Sequence, residues 1–134
     1  MDQAQSAPAD RARQIVLAVA LIRLAVGAVS TAQDTVLPRS LGIDSATAGR
    51  MAFITRMFAT REIALALGTG AAVVKGGSGA RSWVLASALA DGFDAVTLVT
   101  AARSGRAAKL GSYAAAAGAV AAVGGALWYA ATRR

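Results

Sequence analysis

Residues 110–131 read LGSYAAAAGAVAAVGGALWYAA, 22 positions without one charged side chain. A helix rises ~1.5 Å per residue, so this run reaches across the ~30 Å hydrocarbon layer of a bilayer. Trp128 and Tyr129 stand at its end and Arg133 and Arg134 follow, the aromatic and basic anchoring typical of a membrane–water interface. The run has no wet face of the kind that a helix on a soluble core would show.

Working back along the chain, Arg103, Arg106 and Lys109 form a basic turn, and before it a second apolar run covers residues 82–102, opened by Trp83. The segment Lys75-Gly76-Gly77-Ser78-Gly79-Ala80-Arg81 is another short basic turn. It joins that run to one over residues 51–74, so the two form an antiparallel helical hairpin. Residues 34–50 carry Asp34, Pro38, Arg39, Gly42, Asp44 and Ser45. They read as a turn-rich connection, partly flat at the interface, in which Asp44 or Ser45 caps the next helix. The first run covers residues 15–33. Arg11 and Arg13 before it, and Ser30 and Ala32 near its end, would also suit a cleavable signal peptide, but Arg23 in its middle argues for a retained helix. Residues 1–13 are polar, contain Pro8 and lack an apolar period, which predicts a mobile tail. The expected fold is therefore all-α: an integral membrane four-helix bundle, one transmembrane domain over residues 14–132 with helices near 15–33, 51–74, 82–102 and 110–131.

At 134 residues, 56% of them hydrophobic, the chain has room for one compact domain. It contains no cysteine and no histidine, which removes disulfides, thiolate chemistry, Cys/His metal sites and the commonest general base. No catalytic residue, metal site or cofactor is predicted, and the chain reads as a non-enzyme. Its net charge of +7 comes from basic residues at the ends of apolar runs rather than on one face among aromatics, so lipid head groups are the expected partner and nucleic acid is not. The expected location is the cell membrane, crossed several times. Orientation is nearly balanced: Arg11, Arg13, Lys75, Arg81, Arg133 and Arg134 fall on one side, six against the five of Arg39, Arg50, Arg103, Arg106 and Lys109. That difference sets no orientation, and both termini cytoplasmic is kept only as a working expectation.

Five ionisable residues interrupt the apolar runs: Arg23 in the first, Arg61 and Glu62 in the second, Asp91 and Asp94 in the third. Measured from the interface marked by Arg13, Lys75 and Arg81 at ~1.5 Å per residue, they lie roughly 15 to 20 Å deep, in one layer near the bilayer centre. Helical spacing adds polar stripes to that layer: Arg23, Gly27 and Ser30; Thr55, Glu62 and Thr69; Ser87, Asp91, Asp94 and Thr97 or Leu98. Two arginines nearly balance three carboxylates, so pairing offsets an insertion cost of ~3 kcal/mol per charge at a helix centre. The expected role is a network that holds the first three helices together, in a small membrane subunit or scaffold. The alternative is a small oligomeric transport or proton-relay element. There the surplus carboxylate, Asp91 or Asp94, meets a proton or a cationic or polar substrate, because two like charges on one face disfavour simultaneous ionisation.

Asp91-Gly92-Phe93-Asp94 resembles the start of the metal-binding motif of membrane CDP-alcohol phosphotransferases. That motif continues with a Gly, an Ala-Arg pair and two more aspartates, whereas here Ala95 follows and no acid occurs after Asp94, too few ligands for a two-metal site. In the fourth run Gly111, Ala115, Gly118, Ala122 and Gly125 recur at spacings of three and four. Such a surface lets a neighbouring backbone approach closely, within the bundle or, alternatively, in a homo-oligomer or larger membrane complex.

Leu37-Pro38-Arg39, Arg56-Met57-Phe58-Ala59-Thr60-Arg61-Glu62 and Ala90-Asp91-Gly92-Phe93-Asp94-Ala95-Val96 together resemble small four-helix actinobacterial membrane proteins of unknown function. Arg23-Leu24-Ala25-Val26-Gly27 is similar to the start of that pattern and, distantly, to DoxX-like membrane proteins. The resemblance covers roughly residues 20 to 110. It implies a four-helix membrane fold with Arg61, Glu62, Asp91 and Asp94 as defining residues, and it implies no reaction.

Overall fold

A computed structural model describes residues 3–76 and 79–132. The basic anchor expected at Arg133 and Arg134, the Gly77-Ser78 centre of the first basic turn and the first two residues of the expected tail lie outside them. Six helices follow in order: α1 (Gln3–Ala32), α2 (Val36–Ser40), α3 (Ser45–Arg50), α4 (Ala52–Lys75), α5 (Gly79–Arg103) and α6 (Lys109–Thr132). The fold is an all-α bundle, in which α1, α4, α5 and α6 are each long and apolar enough to cross a membrane.

The long helices close a ring in the order α1, α4, α5, α6. α1 lies along α4 and α5 along α6, with lighter contact at the other two sides. Residue size explains the close pairs. A Cβ on Gly27 of α1 would stand 2.9 Å from the Ala59 carbonyl oxygen and 2.7 Å from Ile63 Cγ1 on α4, so these helices approach along a position that only glycine fits. Alanine dominates the buried apolar positions, while Leu21, Phe53, Met57, Leu89, Phe93 and Val120 are exposed. A soluble core would invert that distribution. In lipid, large side chains gain nothing by turning inward, and association is driven by close packing of small residues.

The chain between α1 and α4 is built as two short helices. The carboxylate of Asp44 caps α3, accepting a 3.0 Å hydrogen bond from the Thr47 backbone N–H. The cap foreseen at residues 44–45 therefore serves a six-residue helix rather than α4 directly. Gly42, with φ at +77°, turns the chain beside Ala108, and the Ala108 N–H donates to the Leu41 carbonyl at 2.7 Å, tying this connection to the α5–α6 turn.

The reading of residues 1–13 as a tail is corrected from Gln3 onward, because α1 begins there and runs through Pro8. Ala12 is fully buried and joins a cluster with Val16, Val73, Ala80, Val84 and Tyr129. The segment lacks an apolar period, but alanine, glutamine and arginine are strong helix formers, and the packing of its last turn supplies what periodicity did not signal.

Candidate functional site

The five charged residues meet across three helices. Arg23 is 5% exposed, and α1 directs it at the bundle axis because Gly27 and Ser30 share its buried face. Its Nη1 donates to Glu62 Oε2 on α4 at 2.7 Å, and its Nη2 donates to Asp91 Oδ1 on α5 and to the Ser87 carbonyl at 3.2 Å. α1 and α5 stand diagonally in the ring, so a long side chain is what spans the axis. Arg61, one residue before Glu62, points to the margin of the layer. Its Nη2 donates to Asp94 Oδ2 at 2.6 Å and to Glu62 Oε1 at 3.1 Å. The order of contacts is Asp91, Arg23, Glu62, Arg61, Asp94, with Glu62 shared by both guanidiniums.

This arrangement separates the two aspartates that sequence spacing placed on one face: each has its own arginine. The Arg61 guanidinium carbon lies 5.0 Å from the centre of the Phe58 ring, a cation–π contact at i, i+3. Below the layer Thr69 and Ser87 share a 2.9 Å hydroxyl–hydroxyl hydrogen bond, so two more members of the polar stripes face each other. Thr55 and Ser30 are buried as well, whereas Thr97 is exposed and returns its hydroxyl to the Phe93 carbonyl. Outside the layer, Arg56 pairs with Asp34 at 2.8 Å across the α1 and α4 ends on the side of the short helices.

Two cavities meet at the charge layer. The larger, about 620 Å³, extends to α2 and the residues after it, Leu41 and Ile43; Ile22, Val26, Phe58 and Leu98 are among its walls, and Arg23, Glu62, Asp91 and Asp94 line it. The smaller, about 20 Å³, is lined by Thr69 and Ser87 together with Arg23 and Asp91, and it is large enough for one water. Beyond it the bundle is closed by the apolar cluster around Val73, Val84 and Tyr129. Arg23 and Asp91 thus border both chambers. The sequence carried no signal for the large cavity, because it depends on how far α6 stands from α1.

The predicted packing glycines divide. A Cβ on Gly125 would stand 2.7 Å from Ile15 Cγ2, and one on Gly111 would stand 2.8 Å from the Ser40 carbonyl oxygen, so both admit close neighbours within the chain. Gly118 has nothing within 4 Å of such a Cβ and lines the large cavity instead. Among the described residues no group of three or more acidic side chains is arranged to hold a metal ion. Comparison of the chain with protein-family profiles, curated proteins and solved structures gave no match.

Proposed function

We propose that this multi-pass membrane protein is a non-enzymatic subunit or scaffold of the cell membrane, and that the charge layer is the clamp that fixes its bundle. The observation that carries the reading is the double engagement of Arg23, whose two terminal nitrogens hold α4 through Glu62 and α5 through Asp91 at once. A buried charge that loses its partner is far more costly than an apolar side chain in its place, so such a network enforces one arrangement of helices. The partner surface lies on α6, where Ala114, Ala117, Ala121 and Gly124 are exposed at spacings of three and four, suited to a second copy or another subunit. The test is Asp91→Asn and Asp94→Asn, singly and together, scored in nanodiscs for folded yield and melting temperature. Loss of folded protein in Asp91→Asn supports the clamp; wild-type yield and melting in all three variants overturns it.

A second reading, a small transport or proton-relay element, is favoured by Asp91 and Arg23 bordering both cavities. Reconstituted vesicles with an internal pH dye test it. A proton leak that Asp91→Asn abolishes in folded protein supports the relay, and proton-tight vesicles exclude it.

A further inference from the structure

The large cavity joins an apolar chamber to a charged floor, and the charges on that floor do not cancel. Arg23 and Arg61 face Glu62, Asp91 and Asp94, two positive groups against three negative. The ion pairs occupy both terminal nitrogens of Arg23 and one of Arg61, whereas Asp91 and Asp94 are each held through one oxygen only, Oδ1 and Oδ2 respectively. A carboxylate offers about four lone-pair sites, so the floor keeps acceptor capacity that the arginines do not fill.

We propose that this cavity binds a lipophilic organic monocation, a protonated amine on an apolar body. Its N–H groups lie on the Asp94, Glu62 and Asp91 carboxylates, and its body lies against Ile22, Val26 and Phe58. Charge complementarity selects this occupant. A carboxylate or phosphate head would meet three like charges, with both terminal nitrogens of Arg23 and one of Arg61 already engaged. A neutral head would leave the surplus negative charge uncompensated in a low-dielectric chamber, where an opposite charge is worth most. The apolar walls supply the rest of the affinity through burial of the body. The proposal rests on the cavity and not on the clamp, because a bundle clamped as described would hold the chamber open whether or not anything enters it.

The test compares decylammonium, decanol and decanoate, three probes with one tail, for binding to the purified chain in a neutral maltoside micelle. Saturable binding is read against the Gly118→Leu variant to remove partition into the micelle. Gly118 lines the cavity from α6 and has open space for a Cβ, so leucine there takes up cavity volume while leaving all five charged residues in place. The expected result is that decylammonium binds about tenfold or more tighter than decanol, that decanoate is weaker still, and that Gly118→Leu lowers amine affinity about tenfold with wild-type folded yield. Asp94→Asn, which removes the surplus charge at the partly exposed end of the network, brings amine and alcohol within about threefold of one another. The proposal is overturned if decanol or decanoate matches the amine, if Gly118→Leu keeps wild-type affinity, or if no saturable binding is found.

Discussion

Arg23 is the residue on which the bundle turns, because its side chain is bonded to two other helices at once. Replacing it with an isosteric apolar residue leaves Glu62 with one arginine and Asp91 with none. Arg23→Met is therefore expected to cost about 3–5 kcal/mol, the cost of stranding a buried charge, read as a loss of folded yield and melting temperature in detergent. Asp94→Asn is expected to cost about 1–2 kcal/mol, because Asp94 and Arg61 are roughly a third exposed and their hydrogen bond survives in part through the amide. An equal effect of both substitutions would mean that the layer acts as a diffuse field rather than through the Arg23 contacts. The sequence made these residues visible by depth alone: charges are rare in apolar runs, and helical rise places all five in one layer. Which arginine meets which acid was not legible. It depends on α1 and α5 being diagonal, a property of helix arrangement that no local spacing encodes.

At the scale of elements, glycine positions separate tight contacts from open ones. A Cβ on Gly68 would lie 2.3 Å from the Trp83 ring, whereas one on Gly70 of the same helix meets nothing within 4 Å. Gly70→Ala is expected to stabilise α4 by up to about 1 kcal/mol, and Gly68→Ala to destabilise it because Trp83 must swing away. Melting temperatures of the two variants, side by side, decide this. The α3 cap gives a pH dependence. Hydrogen bonding from Thr47, first through its side chain and then through its backbone N–H, holds the Asp44 carboxyl below its ordinary value. A carboxyl whose value is lower in the folded state contributes its full stability above the unfolded value and loses it as pH falls through the folded one. Protection of the α3 amides from hydrogen exchange should therefore weaken on acidification in wild type but not in Asp44→Asn, since asparagine caps at any pH. The long helices were legible to within a few residues because membrane thickness sets their length. The short α2 and α3 and the start of α1 were not, since five- or six-residue helices and an aperiodic polar stretch carry no apolar repeat to read.

For the whole molecule, four crossing helices place the start of α1 and the end of α6 on one side and the α2–α3 connection with the α5–α6 turn on the other. With no native cysteine, single substitutions can report this directly. Ser40→Cys and Ser104→Cys should react with a membrane-impermeant maleimide from one face of sealed vesicles, and Asp10→Cys and Lys75→Cys from the opposite face. Any mixed pattern would break the four-span topology. The uncharged composition of residues 110–131 announced one span at sight, but the hollow half above the charge layer came only from packing. The network also sets a timetable for synthesis. Arg23 leaves the ribosome 39 residues before Glu62 and 68 before Asp91. At 5–20 residues per second the second gap lasts roughly 3 to 14 s, during which the first helix carries an unanswered charge. That helix is therefore expected to linger at the lateral gate of the insertion channel until the third arrives, so that the first three helices enter the bilayer as a group, while α6, which owes nothing to the network, partitions alone.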